Sequence, residues 1–311
     1  MQKGNIKKIH TVQMAVLFLL LPAGMFLTTA AVKQDKECAK NLSLLQQTLS
    51  DTAGFFIKVH AAENLIRRGC TAGIREQFEQ LQKASADNEI GAARVLARLQ
   101  QNDPAAYRSS VELLLDRFRN GAAKSRLVAL ESLGKLGYCD RSAAVKARAD
   151  TGTGGFKAMA RWVLANSGTP AAENRLSELL LSHEPVDYRY AAYALRFKTT
   201  VHGYTLQRLL GCLGRLEKED AARVYVAGCL YVHSTGTRQQ AAKAVLITYI
   251  NGDAAQRYET AEALGIAGNR SDIPLLQTLL VDGNADVRVA AANALLKLMH
   301  CTCGGRKGSM I

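Results

Sequence analysis

A small residue and a leucine recur four positions apart, on one helical face, in segment after segment of the chain. In the segment 286–298, with Arg288 as position zero, alanine stands at plus three and leucine at plus seven. Residues at these positions share one side of an α-helix. The same frame fits seven earlier segments, with position zero at Lys58, Glu89, Arg126, Lys157, Tyr188, Arg223 and Arg257. We therefore predict eight similar helices.

A second amphipathic helix precedes each framed helix, as the spacing of Ile74, Phe78 and Leu81 illustrates. Successive frames begin 31 to 37 residues apart, which fits two helices and two short turns. In such an array each unit buries its apolar face only against its neighbours, so one continuous domain is expected despite the length of the chain. The predicted fold is all-α, a right-handed α-solenoid of about eight antiparallel helix pairs over residues 39–299.

The fourth helix pair is the irregular one. Residues 141–149 contain alanine and valine but no large apolar residue, and residues 151–155 are the glycine-richest stretch. Glycine at this density predicts a loop or a hinge. A phosphate-binding loop is not expected there, because no Gly-Lys-Ser/Thr follows at the required spacing and no strand precedes it.

The framed helices resemble HEAT repeats, and in particular the short HEAT-like units named after phycobilisome lyases. Residues 286–295 and 257–265 carry the resemblance most clearly, with Asp-Val-Arg before Ala-Ala-x-Ala-Leu in the former. The resemblance implies a superhelix whose second helices line a concave face. It also implies that the basic residues at position zero pair with acids near the preceding turn, here Asp220, Asp253 and Asp286. HEAT repeats bind partners much more often than they catalyse reactions.

The N-terminus has the pattern of a targeting segment. Lys3, Lys7 and Lys8 precede an uncharged, largely apolar run that ends in small residues, so residues 1–31 are predicted to be a signal peptide or an N-terminal membrane anchor. Both alternatives place the repeats outside the cytoplasm, in the periplasm or facing outward from the inner membrane of a bacterial envelope. The glycine-rich, basic residues 300–311 are expected to form a flexible tail.

If the chain is exported, its seven cysteines can form disulfides, and at least one of them is then free or paired with another molecule. We predict a disulfide between Cys38 and Cys70, because the first helix begins after one and the second helix ends before the other. For Cys139, Cys212 and Cys229 the alternative is that they are small buried hydrophobic residues.

The formal net charge is +13, and removal of residues 1–30, which contain three lysines and no acids, leaves +10, a charge that favours acidic partners. A protein or glycan ligand is expected, and no nucleic acid. No sequence motif for catalysis is found, so the chain is predicted to be a non-catalytic scaffold or adaptor without a cofactor, and a lyase or lyase subunit is the alternative. His60 and Glu63 provide too few ligands for a metal site, and the cluster at residues 300–303 is similarly incomplete.

Aromatic residues interrupt the polar face of the framed helices in the fourth to sixth units. At plus two and plus five, where other units have polar or small residues, these units carry large apolar and aromatic side chains flanked by arginines. We predict that this concave patch binds the partner, and the alternative is that it packs between repeats. The predicted site comprises Met159, Arg161, Trp162, Arg189, Tyr190, Tyr193 and Tyr225.

Overall fold

The computed structural model describes residues 22–303, with side chains from residue 32 onward. Sixteen α-helices occupy this part of the chain, several of them ending in a short 3-10 turn. They are α1 Pro22–Ser50, α2 Phe55–Arg67, α3 Ile74–Ala84, α4 Glu89–Leu99, α5 Pro104–Asn120, α6 Ala123–Lys135, α7 Ala143–Thr151, α8 Gly154–Ala165, α9 Pro170–Ser177, α10 Pro185–Arg196, α11 Gly203–Arg215, α12 Arg223–His233, α13 Gly236–Thr248, α14 Ala254–Ala267, α15 Ile273–Thr278 and α16 Ala285–Leu298. The predicted all-α fold of eight antiparallel helix pairs is confirmed.

The framed helices form the inner layer, and the helices that precede them form the outer layer. Every residue at plus three is fully buried, as expected for positions at which neighbouring helices come close. The leucine at plus seven is buried in seven of the eight units, and Leu164 of α8 is half-buried instead. The repeated frame therefore forms the hydrophobic core.

The two ends of the array meet, so the described helices form a closed ring rather than an open superhelix. Helix α16 packs against α1 and α2, just as α4 packs against α5 and α12 against α13. Gln34 Nε2 donates to the Met299 carbonyl at 2.8 Å, and His60 Nδ1 lies 2.8 Å from Asp286 Oδ1. The last repeat thus joins the first through the type of helix contact that joins repeats elsewhere in the array.

Two disulfides fasten the closure. Cys38 is bonded to Cys301, with Cα atoms 5.7 Å apart, and Cys70 is bonded to Cys303, with Cα atoms 5.4 Å apart. The predicted Cys38–Cys70 disulfide is therefore wrong, because each of these cysteines faces the returning C-terminus rather than the other end of its own hairpin. The remaining three cysteines, Cys139, Cys212 and Cys229, are free thiols.

The predicted domain boundaries fall near the two ends of the described part of the chain. Helix α1 begins at Pro22, well before the expected start at residue 39, and it includes the last ten residues of the predicted targeting segment. Residues 1–21 of that segment lie outside the described part. Within residues 22–303, no helix is both long and apolar enough to cross a membrane. Of the expected flexible tail, residues 300–303 are described, and Cys301 is buried there in a disulfide. Residues 304–311 are outside the described part.

The arginines at position zero mostly bind backbone carbonyls instead of the acids that the family resemblance implied. Arg126 Nε donates to the Phe118 carbonyl at 3.1 Å, and Arg288 Nη1 donates to the Asp282 carbonyl at 2.6 Å. Arg257 also pairs with the Asp282 carboxylate at 2.6 Å. These carbonyls lie at the ends of outer helices, where no further helical N–H is available to them, so a guanidinium satisfies them well.

The three acids named by the resemblance have other roles. Asp220 accepts a hydrogen bond from the Tyr188 hydroxyl at 2.6 Å, and Asp253 caps the N-terminus of α14. Asp286 lies beside His60 at the ring closure. The three expected arginine–aspartate pairs are therefore wrong.

Candidate functional site

The predicted aromatic patch lies inside the ring and not on an open concave face. Only 1% of Trp162 is exposed, and its ring stacks on Phe197 with centroids 5.3 Å apart. It meets Tyr193 edge-on at 6.0 Å, and it covers Gly134, where an added Cβ would lie 2.5 Å from the indole. The prediction that Trp162 is an exposed anchor is wrong, because the indole packs between the neighbouring inner helices α6 and α10, as the alternative of packing between repeats expects.

The other predicted site residues do not form a single patch. Met159 is buried, and Tyr225 contacts Tyr193 edge-on at 6.5 Å. The Arg189 guanidinium lies over the Tyr190 ring at 5.1 Å, and both side chains are half-buried. The seven predicted residues therefore share no continuous surface.

A central cluster of charged and aromatic side chains fills the ring beside Trp162. Glu63 accepts hydrogen bonds from Arg94 Nε at 3.1 Å and from Arg98 Nε at 2.6 Å. Across the ring, Arg196 pairs with Glu259, and both side chains are buried. From the sequence, these charged residues were expected at the surface, because charged side chains are rarely buried unless they are paired. In the structure they are paired, and their burial is therefore possible.

Glu131 joins the two halves of this central cluster. Its Oε1 accepts a hydrogen bond from the Tyr193 hydroxyl at 2.6 Å and lies 2.9 Å from Lys135 Nζ. Burial by itself raises the pKa of Glu131, but the charges of Lys135 and Arg94 outweigh it and lower that pKa to about 2. Tyr193 has a raised pKa because it is buried beside the Glu131 carboxylate.

The residues of the incomplete metal-ligand sets considered in the sequence are engaged by other side chains. His60 is held by Asp286, and Glu63 is engaged by two arginines. Cys301 and Cys303 are consumed by the disulfides. Because its carboxylates face arginine, lysine or tyrosine partners, the central cluster acts as a polar core that fixes how the inner helices meet.

A basic cleft, which we name the α7–α9 cleft, opens on the outer side of the ring between α7, α8 and α9. It encloses about 380 Å³. Its lining residues are Arg141, Lys146, Asp150, Arg161, Leu164, Ser167, Thr169, Ala171, Ala172 and Arg175. Four of them are basic and one is acidic, so the cleft has an excess of positive charge.

The short side chains of α7 account for the cleft. Val145 and Ala149 are the buried residues of this helix, and neither is large enough to fill the groove beside it. Leu164 is consequently left half-buried at the wall of the cleft, unlike the equivalent leucines of the other repeats. The irregular fourth pair thus produces an indentation where the others produce close packing.

Only part of the positive charge in the α7–α9 cleft is compensated. Arg175 pairs with Asp150, and Arg161 lies 3.8 Å from Glu178 at the rim. Arg141 and Lys146 are exposed, and neither has an ion pair or a hydrogen bond from its side chain in the described part of the chain. Two exposed cations without an ion pair therefore line a cleft that also has an apolar wall.

Arg161 is the one predicted site residue that lies in this cleft. Its Nε donates to the Ala149 carbonyl at 3.1 Å, and its Nη1 donates to the Arg175 carbonyl, so the guanidinium is held in place. Burial, together with the neighbouring positive charge of Arg175, lowers its pKa. A cation in this environment is stabilised when an anion binds nearby.

The other basic residues of the cleft, Arg141, Lys146 and Arg175, were not predicted from the sequence. Arg141 lies just before α7 and Lys146 lies on it, and α7 has a narrow apolar face. That combination indicates poor packing, but it also leaves charged side chains on both flanks of one exposed helix. Charge density on the weakest helix was therefore the available signal.

Comparisons with known proteins find one similar solved structure but no matching sequence family. No family model matches the chain, and no curated protein matches it in sequence. A solved structure of human deoxyhypusine hydroxylase in complex with glycerol is similar, with 21% identity and a TM-score of 0.41, over 85% of this chain and 97% of that chain.

This finding corrects one prediction. Deoxyhypusine hydroxylase is by its name an enzyme. The prediction that this chain is a non-catalytic scaffold and not an enzyme was inferred from its helical repeats, and that inference is wrong. A fold of this class does not exclude catalysis. At this TM-score the likeness assigns no reaction, substrate or residue to the chain.

Proposed function

We propose that the protein binds a ligand with several negative charges in the α7–α9 cleft. The observation that carries this proposal is the presence of four basic side chains around one cleft, of which Arg141 and Lys146 have no acidic partner in the described part. Arginine recognises carboxylate and phosphate groups through paired hydrogen bonds, and lysine adds a mobile charge. The net charge of +13 would favour the approach of such a ligand from a distance.

We propose further that the repeats act outside the cytoplasm of a bacterium and belong to the short HEAT-like type named after phycobilisome lyases. The pattern of residues 1–31 supports export. The two disulfides support it independently, because such bonds persist mainly in oxidising compartments. Protease accessibility in cells with a permeabilised outer membrane tests this. Repeats that are digested only after the inner membrane is broken would contradict export.

A binding titration tests the ligand proposal. The probe is a fluorescein-labelled tetraglutamate peptide, followed by fluorescence polarisation at low salt. We expect measurable binding that weakens as salt is added, since the contacts are solvent-accessible ion pairs. The double substitution Arg141→Glu with Lys146→Glu should lower the affinity at least tenfold.

The matched control reverses two exposed charges elsewhere on the ring, Lys218→Glu with Arg238→Glu. Both double variants change the net charge equally, so a general electrostatic effect would appear in both. An equal loss of affinity in the control, or unchanged binding after reversal of the two cleft charges, would contradict a site in the α7–α9 cleft.

A further inference from the structure

A second basic cleft, which we name the α5–α7 cleft, lies on the opposite flank of α7. It encloses about 400 Å³ between α5, α6 and α7. Its lining residues are Phe118, Arg119, Arg126, Ala144, Ala147, Arg148 and Thr151, of which three are arginines and none is acidic. One short helix therefore separates two clefts of similar size and the same sign of charge.

The three arginines of the α5–α7 cleft are held to different degrees. Arg126 Nε donates to the Phe118 carbonyl at 3.1 Å, which fixes its guanidinium at the floor. The Arg148 guanidinium lies 5.5 Å from the centre of the Phe156 ring. Arg119 is exposed and has no ion pair in the described part of the chain. Like the α7–α9 cleft, this cleft combines a cation held by a hydrogen bond with an exposed cation that has no ion pair in the described part.

The ridge between the clefts is low. Ala143, Ala147 and Thr151 are exposed along the solvent side of α7, opposite the buried Val145 and Ala149. Side chains this short leave the helix backbone as the only barrier to an extended ligand. A helix with its side chains is about 10–12 Å across, which three or four residues of extended polypeptide can span.

The lining favours a peptide over a sugar chain or a nucleic acid. Leu164, Ala171 and Ala172 provide an apolar wall beside the arginines of the α7–α9 cleft, which suits the methylene groups of acidic side chains. The one aromatic residue that lines either cleft, Phe118, is buried. Stacking on exposed aromatic rings, which bases and flat sugar faces use, is therefore not offered there.

We propose that an extended acidic segment of a partner polypeptide crosses α7 and occupies both clefts at once. This inference rests on the proposed binding of an anionic ligand in the α7–α9 cleft and extends it to a second site on the same segment. Two weak sites joined by one flexible chain bind more tightly than either site alone, because the second contact becomes intramolecular.

The test compares glutamate-rich peptides of four and twelve residues by fluorescence polarisation on the full, oxidised chain. Four extended residues span about 14 Å, enough for one cleft, and twelve span about 40 Å, enough for both. The longer peptide should bind at least thirtyfold more tightly, which exceeds the roughly ninefold advantage expected from its nine possible registers. Measuring both at the same salt concentration separates length from screening.

A pair of variants locates the effect. Arg119→Gln with Arg148→Gln alters only the α5–α7 cleft, and it should weaken binding of the twelve-residue peptide at least tenfold while changing that of the four-residue peptide by no more than about twofold. Lys218→Gln with Arg238→Gln removes the same charge elsewhere and should change neither affinity by more than about twofold. Unchanged thermal melting of both variants checks that the fold is intact.

The outcomes separate the two proposals. If neither peptide binds, the proposed anionic ligand site is wrong. If the four-residue peptide binds but the longer one gains no more than its registers predict, only the crossing of α7 is wrong. A sulfated oligosaccharide or a single-stranded RNA of equal charge that binds more tightly than the twelve-residue peptide would overturn the choice of a polypeptide.

Discussion

Trp162 shows how packing between neighbouring repeats can bury a position that the repeated frame places on the polar face. It packs between Gly134 of α6 and Tyr193 and Phe197 at α10, with 1% of its surface exposed. We predict that Trp162→Ala lowers the free energy of unfolding by about 3–5 kcal/mol, since it removes a buried aromatic ring and leaves a cavity. Chemical denaturation followed by circular dichroism measures this.

Val281→Ala is the matched control for that substitution. Val281 is 86% exposed, so its truncation should change the free energy of unfolding by less than about 0.5 kcal/mol. A change of less than about 1 kcal/mol for Trp162→Ala would mean that the indole is not packed in the core. It would favour the prediction that Trp162 is exposed and binds a partner.

Glu131 gives the central cluster a measurable pH dependence. Its pKa is lowered to about 2 in the folded protein, whereas the ordinary value is 4.5. A carboxylate with a depressed folded pKa stabilises the fold above its unfolded pKa, and that contribution is lost as the pH falls through the folded pKa. We predict that stability declines between pH 4.5 and about pH 2 and that Glu131 accounts for on the order of 2–3 kcal/mol of the decline.

Urea denaturation at several pH values tests this prediction. Glu131→Gln should destabilise the protein at neutral pH and make the acid decline shallower, although Glu63, whose pKa is also lowered by its arginines against the opposing effect of burial, maintains part of it. Glu76→Gln changes an exposed carboxylate on α3 and should leave the profile unchanged. Parallel profiles for wild type and Glu131→Gln would contradict the role of this residue.

At the scale of the helix, the start of α14 is fixed by a reciprocal cap. Asp253 Oδ1 accepts from the Gln256 N–H at 2.8 Å, and Gln256 Oε1 accepts from the Asp253 N–H at 3.0 Å. Two side-chain acceptors thus satisfy N–H groups that a helix start leaves open. We predict that Asp253→Ala costs about 1 kcal/mol of unfolding free energy, measured by urea denaturation.

Thr235 provides the comparison within the same chain. It occupies the N-cap position of α13, but its side chain makes no capping hydrogen bond. Thr235→Ala should therefore cost markedly less than Asp253→Ala. Equal losses would indicate that the cap hydrogen bonds of α14 do not contribute to stability.

The helices were predictable from sequence because each contains its own evidence. Apolar spacing identifies the core face within a dozen residues, and the alanine and leucine positions of the frame are buried almost without exception. The weakness of helix α7 was predictable for the right reason, since it buries nothing larger than Val145. That weakness also created the basic clefts, a consequence that depends on neighbours which no single segment reveals.

At the scale of the whole molecule, ring closure was not predictable from the repeats. The frame of the last helix is the same whether its far side meets solvent or α1, because each unit specifies contacts only with the next one. Glu63 and Arg94 look like surface residues in sequence and become a buried pair only when the inner helices converge.

The final prediction concerns the fastening of the ring. Cys38 and Cys301 are 263 positions apart in sequence, so their bond closes a loop that includes nearly the whole repeat array. Under the chain-entropy account, closing so long a loop stabilises the folded state by on the order of 5–6 kcal/mol, and the second bond adds less because the loop is already closed. Peptide mapping without reduction should recover Cys38 linked to Cys301 and Cys70 linked to Cys303.

Reduction of the two disulfides should change the dimensions of the molecule as well as its stability. With both bonds cut, the closure depends on the packing of α16 against α1 and α2 and on contacts such as the partly exposed, weak pair between His60 and Asp286. We expect a lower melting temperature and a larger radius of gyration by small-angle X-ray scattering. The variant Cys301→Ser with Cys303→Ser should reproduce both changes without reductant, whereas Cys139→Ser, which removes a free thiol, should produce neither. A peptide that links Cys38 to Cys70, or a reduced protein as compact and as stable as the oxidised one, would show that the disulfides do not hold the ring closed.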